Sequence, residues 1–112
     1  MNVKLIVPNC NRSTSPIVAY GPTIAAIAGG FTATQATGGW IDETKALIVE
    51  PVTVFDCTHQ SATLQANGRY NFPKTAAFIA AQFCTLAKQV ANDLHQTCVF
   101  LQVDGNVELV TP

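Results

Sequence analysis

The segment from residue 98 to residue 110 constrains the fold more than any other part of the chain, because it predicts a β-hairpin with two apolar faces. Its sequence is CVFLQVDGNVELV, and Asp104-Gly105 tolerates the positive φ angles of a tight turn. Alternation along the two strands places five residues on each face, namely Val99, Leu101, Val103, Glu108 and Val110 against Cys98, Phe100, Gln102, Val107 and Leu109. Each face carries one clearly polar side chain, whereas a sheet with a wet face has one at nearly every second position. We therefore expect both faces to be at least partly covered.

The chain is short and carries few charges. Its 112 residues predict a single α+β domain over residues 1–112, large enough for a modest core without disulfide or metal staples. Charged residues make up 12% of the chain, which is about half of the usual share. The six basic residues are scattered along it: Lys4, Arg12, Lys45, Arg69, Lys74 and Lys88. This distribution argues against a nucleic-acid partner, and weak charge repulsion favours association with other chains.

No segment of the sequence is suited to export or to a membrane. The first eight residues contain three consecutive apolar side chains, whereas a secretory signal needs about seven to fifteen. No window approaches the roughly 18 apolar residues of a membrane-spanning helix. We therefore expect a cytoplasmic protein without a membrane partner, in which the four cysteines stay thiols.

The distribution of apolar and turn-forming residues predicts alternating strands and helices. Residues 3–7 predict a first strand, and a polar loop then precedes a short helix with Pro22 in its first turn. Gly29-Gly30 is expected to end that helix. Apolar spacings of three and four predict one long helix over residues 72–95. With the middle strands and the C-terminal hairpin, the predicted order is β-α-β-β-α-β plus a terminal strand.

The middle of the chain predicts a second hairpin and a long loop. Residues 40–41 and 47–48 can pair across a loop that holds the four polar residues 42–45. Pro51 cannot donate a ladder hydrogen bond, so its strand is predicted to be an edge there or to be bulged. Residues 59–71 are predicted to form a loop, of a length that is uncommon unless the loop binds something or moves.

Four residues are candidate contacts for a small, mostly apolar ligand: Trp40, Glu50, Tyr70 and Phe72. Trp40 follows Gly38-Gly39, a pair that predicts a bulge or a close backbone approach, and its indole could stack on a flat ligand. The alternative for Trp40 is a structural role. Glu50 stands among apolar residues, so its carboxylate is predicted to be exposed at a strand edge, paired, or raised in pKa for acid–base chemistry.

Two pairs of sulfur and nitrogen donors form an alternative metal site. Cys57 with His59 and His95 with Cys98 would give zinc two Cys and two His ligands. Structural zinc sites usually present two cysteines with two to four residues between them, which neither pair provides. We therefore expect no metal and no cofactor. His95 then suits a helix C-terminus, and His59 lies in a loop.

No catalytic motif is recognisable. Cys10 and Arg12 suggest a thiol phosphatase loop, but that loop needs five residues between the two, and here there is one. No serine stands in a Gly-x-Ser-x-Gly frame, and the glycine pairs match no phosphate-binding fingerprint. The catalytic residues stay unknown, and in an enzyme Glu50, Asp56 or His59 would be the acid–base candidates.

The segment GFTATQATGGW over residues 30–40, followed by Glu50 in the next strand, resembles small uncharacterised proteins carried by phages and mobile gene cassettes. The resemblance covers the middle third of the chain, with a looser likeness in the long helix and the C-terminal hairpin. It implies a compact α+β sandwich of ferredoxin-like type. It brings no established activity to any residue of this chain.

The predicted fold is therefore a ferredoxin-like βαββαβ sandwich with an antiparallel sheet, an additional C-terminal hairpin strand and both helices on one face. No further helix is predicted to cover the other face. Because that face is apolar, we expect a homodimer through the open sheet face.

The leading hypothesis for function is a homodimeric module that binds or senses a small, mostly apolar molecule. One alternative is a cofactor-independent enzyme of the dimeric α+β barrel type, and another is an accessory factor that binds a different protein. A pocket with convergent titratable groups would favour the enzyme, and a dry apolar cavity would favour ligand binding. A flat face filled by a partner would favour the accessory factor.

Overall fold

The structure is a computed structural model that describes residues 1–10, 14–58, 63–64, 67–68, 70–71 and 76–112. Its elements are β1 (Asn2–Pro8), α1 (Pro16–Ala28), β2 (Thr32–Ile41), β3 (Leu47–Thr58), β4 (Thr63–Leu64), β5 (Tyr70–Asn71), α2 (Ala76–Asp93), β6 (Val99–Val103) and β7 (Asn106–Val110). Five strands form an antiparallel sheet in the order β2-β3-β1-β6-β7, and β4 pairs with β5 in a separate two-stranded sheet. An α+β fold with a five-stranded antiparallel sheet and two helices is thus confirmed.

Both helices pack on one side of the sheet, which we call the covered face. Leu5 at the centre of β1 pairs with Phe55 of β3 on one side and with Leu101 of β6 on the other. These side chains and those of both helices form one core, whose largest fully buried members include Leu5, Ile24, Phe55, Ile79, Phe83, Val90 and Leu101. Apolar burial on this face is the main source of stability, at about 25 cal/mol per Å².

The C-terminal hairpin has the predicted turn and register. Asp104 and Gly105 form a two-residue turn with φ angles of 48° and 84°. Positive φ at both turn residues is the geometry that matches the twist of the flanking strands. Phe100 pairs with Leu109, so the two faces of the hairpin hold the residues that alternation assigns to them.

Helix α1 begins earlier than the sequence predicted. Pro16, and not Pro22, occupies the first turn, because the Ser15 side chain caps the helix by accepting from the Val18 N–H at 3.3 Å. Pro22 lies inside the helix on its exposed side. Water can satisfy the carbonyl that loses its N–H partner there, so the proline is tolerated. Gly29 ends the helix in the left-handed conformation, as predicted, with φ 87°.

Helix α2 falls within the predicted range of 72–95, of which residues 72–75 lie outside the described part of the chain. At its C-terminal end, the Gln96 N–H donates to the Ala91 carbonyl at 2.9 Å, and His95 has φ 52°. The prediction of a loop without strands over residues 59–71 is wrong at β4 and β5, where two short strands pair. In the residues that the structure describes, no helix combines the length and hydropathy required to cross a membrane.

Strands β2 and β3 continue beyond the end of β1. Strand β1 ends at Pro8, which pairs with Val52, whereas β3 pairs with β2 as far as Leu47 and Ile41. We call this projecting part of the hairpin, residues 37–51, the arm.

Pro51 lies at the base of the arm, where β1 has already ended. Its carbonyl accepts from the Asn9 N–H at 3.1 Å, so this backbone position faces the β1 side. Because β1 has no strand residue there, the missing proline N–H breaks no ladder bond. The prediction of a local edge at Pro51 is confirmed. The alternative of a bulge at Gly38-Gly39 is wrong, because the β2–β3 register is unbroken.

Candidate ligand-binding trough

The second face of the sheet, which we call the open face, forms the floor of a trough with a volume of about 800 Å³. The arm and its loop line one side, and β1, β6 and β7 supply the remainder. Its open-face side chains and backbone include Ile6, Gly38, Trp40, Glu50, Val52, Cys98, Phe100 and Leu109. This volume is in the range of roughly 300–1,000 Å³ that small-molecule sites occupy.

Glu50 lies on the open face of β3, directly opposite Gly38 of β2. Glycine has no side chain, so the space beside the carboxylate stays open; a Cβ at Gly38 would lie 3.1 Å from Val52 Cγ1. Partial burial raises the pKa of Glu50 above its ordinary value of 4.5. A carboxyl group with a raised pKa in a concave site is a common feature of functional sites. This carboxylate can hold a proton or pair with a positive group of a ligand.

Trp40 stands two positions from Gly38 on the same face of β2 and pairs with Ile48. Its side chain is 44% exposed, so part of the indole is open to contact with a ligand. A flat aromatic ring stacks well on such a surface because indole offers a large polarisable face. Trp40 and Glu50 together therefore supply a stacking surface and a charge within one trough.

The loop at the tip of the arm is held by Asp42. Its Oδ1 accepts from the Thr44 Oγ1–H at 2.6 Å, from the Thr44 N–H at 2.8 Å and from the Ala46 N–H at 3.0 Å. These bonds, with that from the Thr44 hydroxyl the largest cause, lower the pKa of Asp42. Local hydrogen bonds therefore fix this wall of the trough without help from the core.

The charge of the trough has one sign. Among the described residues that line it, Asp42, Glu43 and Glu50 are acidic, and none is Lys, Arg or His. Most of the other lining side chains are apolar or uncharged. This composition suits a neutral or positively charged ligand and disfavours a phosphate or a free carboxylate.

The structure brings Trp40 and Glu50 to one trough, and the other two predicted ligand contacts are not tested by it. Tyr70 belongs to β5 of the separate two-stranded sheet, and Phe72 lies outside the described residues. Asp56, a predicted acid–base candidate, lies outside the trough lining, with its Oδ1 4.0 Å from the Lys4 Nζ. The role of each residue stays a prediction.

The members of the alternative zinc site are not brought together in the described part of the chain. Cys57 is buried on the covered face, whereas Cys98 lines the trough on the open face. Burial, with the Asp56 charge as the lesser cause, raises the pKa of Cys57 to about 11, so the thiol stays protonated and is a poor metal ligand. His95 is exposed just after α2, and His59 lies outside the described residues. No group of three or more His, Cys, Asp or Glu that could hold a metal ion occurs among the described residues.

Sequence reasoning missed three parts of the trough: Gly38 as the partner of Glu50, and Phe100 and Leu109 on its floor. The glycine pair did indicate a close backbone approach, and alternation did place Phe100 and Leu109 on one face. What the sequence does not contain is the pairing of distant strands, which sets the β6–β7 hairpin beside the arm.

Comparison with known proteins adds a likeness of fold. No family model and no curated protein matches the chain. Among solved structures, it is similar to a phage SAM lyase in complex with S-methyl-5′-thioadenosine, with a TM-score of 0.65 over 99% of this chain and 88% of that chain. The two sequences are 13% identical, so the likeness shows the fold alone.

Proposed function

We propose that the protein binds a small, flat, mostly apolar molecule in the trough on the open face. The observation that carries the proposal is the position of Glu50 opposite Gly38, with Trp40 on the same face. The indole supplies a stacking surface, and the glycine leaves room beside the carboxylate. A partly desolvated charge among apolar walls is expensive for folding alone, which supports a role in binding.

An adenosine thioether is the ligand that we propose to test first. The structurally similar phage SAM lyase was solved with S-methyl-5′-thioadenosine. The purine of this molecule is flat enough to stack on Trp40, and its methylthio group is apolar. Its ribose hydroxyls can donate hydrogen bonds to the Glu50 carboxylate.

Calorimetric titration with S-methyl-5′-thioadenosine tests the proposal. Wild-type protein should bind it, and Trp40→Ala should weaken binding at least tenfold, or about 1.4 kcal/mol. Glu50→Gln should also weaken binding. Glu108→Gln is the matched control, because Glu108 lies on the other face of β7 and outside the trough lining. Absence of saturable binding by the wild type would refute this ligand class, and binding unaffected by both trough variants would refute the site.

A second candidate function is a lyase that acts on S-adenosylmethionine. The observation that favours it is the raised pKa of Glu50 inside the trough, since such a carboxyl suits acid–base chemistry. Incubation of the protein with S-adenosylmethionine, followed by chromatography, should then reveal S-methyl-5′-thioadenosine. Glu50→Gln should abolish its formation while Glu108→Gln retains it. Binding of the thioether without turnover would leave the binding module as the function.

We further propose the finer description of fold and assembly that the sequence predicted. The strand order β2-β3-β1-β6, with both helices on one face and β7 added beside β6, supports a ferredoxin-like sandwich. The exposure of Val107 and Leu109 on the open face supports a homodimer through that face. The phage origin of the structural neighbour supports a relation to phage proteins. The cytoplasmic location stays a prediction, and an accessory factor stays the alternative if neither ligand binds.

A further inference from the structure

Five of the large apolar side chains that stay exposed lie on two short strips of strand. Ile41, Leu47 and Val49 form what we call the arm strip, and they are between 58% and 65% exposed. Val107 and Leu109 form the β7 strip, at 56% and 62% exposed. A soluble monomer seldom concentrates exposed apolar residues in this way.

Leu47 and Val49 of the arm strip lie outside the trough lining, whereas Ile41, at the end of β2, also borders the trough. Leu47 pairs with Ile41, and Val49 is one residue from Glu50, so alternation puts all three on the side of the arm opposite the carboxylate. This part of β2 and β3 extends beyond the end of β1. A two-stranded hairpin without a packed face is marginally stable in water. The arm therefore has a physical reason to pack its outer side on another surface.

We propose that the arm strip of one copy of the protein packs on the β7 strip of a second copy, and that this contact closes the open side of the trough. The proposal rests on the self-association proposed above and specifies its contact. It does not depend on which ligand the trough takes. Leu109 belongs to the β7 strip and also lines the trough, so a neighbouring arm seated there would supply part of the wall.

The two strips match each other in spacing and in charge. Leu47 and Val49 are two residues apart on β3, as Val107 and Leu109 are on β7, so each strip presents two apolar side chains at the same interval. None of the five side chains is charged, so the contact desolvates no ion. Every copy of the chain carries both an arm strip and a β7 strip, so a second copy supplies an uncharged aliphatic surface for each, which favours it over an unrelated partner.

The exposed area is of the size that a specific interface needs. At these exposures the five side chains present on the order of 500 Å² of apolar surface per copy. A standard interface buries about 800 Å² per partner, of which somewhat more than half is apolar. The contact joins two different surfaces, so a closed assembly occupies every arm and every β7 strip, and a two-fold dimer is the smallest such assembly.

Light scattering on a size-exclusion column, with Val49→Asp and Leu109→Asp variants, tests the contact. The wild type should elute as an oligomer at micromolar concentration, and each variant should elute as a monomer, because each buries an aspartate in the contact. Val18→Asp is the matched control. Val18 is 67% exposed in the first turn of α1, where an acidic residue suits the helix N-terminus, so the oligomer should persist. Far-UV circular dichroism verifies that each variant is folded.

Mixing the two variants separates this contact from other modes of association. A pair made of one Val49→Asp copy and one Leu109→Asp copy keeps one intact arm strip opposite one intact β7 strip. The second contact of that pair joins the two aspartates, so equimolar mixing should restore a dimer held by the one intact contact, weaker than the wild-type assembly, that neither variant forms alone. Arm-to-arm or β7-to-β7 packing predicts no rescue and would overturn the proposal, as would a monomeric wild type or a monomeric Val18→Asp variant.

Ligand binding distinguishes failure of this contact from failure of the proposed function. With S-methyl-5′-thioadenosine as the probe, monomeric Val49→Asp should bind more weakly than the wild type, because the wall supplied by the second copy is missing. Equal affinity would overturn the closure of the trough. A wild-type oligomer with the expected rescue but without binding of the probe would support the contact and refute the ligand.

Discussion

The covered face and the open face of the sheet belong to the same strands, yet the chain completes only one of them. On the covered face, both helices bury Phe55 and Leu101 almost completely. On the open face, the same two strands contribute Glu50 and Phe100 to a trough, and neighbouring Leu109 is 62% exposed. The C-terminal hairpin is largely apolar on both sides, whereas the open face of β1 and β3 also carries Lys4 and Asp56. The two faces therefore differ in composition as well as in the helices that lie against them.

This difference shows that an apolar strand face can have two structural roles. Where helices of the same chain lie against it, it forms a core. Where none of the described helices does, we propose that it binds a ligand or a second copy. The expectation that both faces of the C-terminal hairpin are at least partly covered holds for the covered face, where Val99, Leu101 and Val110 are buried. On the other, Phe100 is partly buried, whereas Val107 and Leu109 are exposed in the single chain.

Truncation of one phenylalanine on each face gives the largest expected effect. Phe55→Ala on the covered face should lower the free energy of unfolding by about 3–5 kcal/mol, because a closely packed ring leaves a cavity. Phe100→Ala on the open face should cost less, about 1–2 kcal/mol, because its ring is partly in water already. Chemical denaturation measures both. An equal cost for the two variants would show that the open face is buried in solution and would remove the contrast.

Filling the space opposite Glu50 should impair the open face alone. The Cβ of Gly38→Ala would lie 3.1 Å from Val52 Cγ1 and would narrow the trough, so affinity for S-methyl-5′-thioadenosine should fall about tenfold. Gly39→Ala is the matched control, since its backbone also borders the trough, but its added Cβ would point to the side of Leu47 and Val49, with the nearest atom 3.7 Å away. Calorimetric titration of both variants tests the prediction, and an equal loss in Gly39→Ala would contradict it.

Replacement of Glu50 should make the folded protein more stable and weaken its binding of the ligand. Burial raises the folded-state pKa of Glu50 above 4.5, so protonation favours the folded protein, and stability is lost as the pH rises through that folded-state pKa. Glu50→Gln removes the cost, so the variant should be slightly more stable than the wild type at pH 7. The gain should be below about 1 kcal/mol because solvent screens the carboxylate. Thermal unfolding between pH 4 and pH 7 measures it. A gain that persisted unchanged well below pH 4.5 would contradict the assignment to ionisation.

Loss of the Asp42 carboxylate should have the smallest and most local effect. Its lowered pKa means that it stabilises the folded loop above pH 3.8 and that this contribution is lost as the pH falls through the lower folded-state value. Asp42→Ala should therefore speed hydrogen exchange at the Thr44 and Ala46 amides at neutral pH. Glu43→Ala, the matched control, should leave both amides unchanged. Equal protection in the wild type and Asp42→Ala would mean that the arm loop is held in another way.

The parts of the fold that depend on neighbours in sequence were predicted well. The turn at Asp104-Gly105 and the pairing of Trp40 with Ile48 follow from short-range turn chemistry, and the periodicity of α2 follows from its apolar spacing. The start of α1 was predicted wrongly because two prolines compete for the first turn. The Ser15 cap decides for Pro16, and Ser15-Pro16 is a sequence signal for a helix start that the prediction overlooked.

The candidate site likewise has features that the sequence predicts and an arrangement that it does not. Trp40 and Glu50 stand out in the sequence as an aromatic residue after two glycines and a carboxylate among apolar residues. Their common location was not predictable, because it depends on the register that sets Gly38 opposite Glu50. Tyr70 and Phe72 stay predictions, because Tyr70 lies in the separate two-stranded sheet and Phe72 lies outside the described residues.

The sequence by itself determined that this chain builds an antiparallel sheet with apolar residues on both faces, since alternation and turn residues act over a few positions. Only the tertiary structure decided which face the helices cover. It also decided that β1 stops at Pro8 while β2 and β3 continue as the arm. Those choices arise from packing between segments far apart in the chain. The free energy of that packing depends on which distant surfaces meet, and the sequence of a single strand or helix does not specify this.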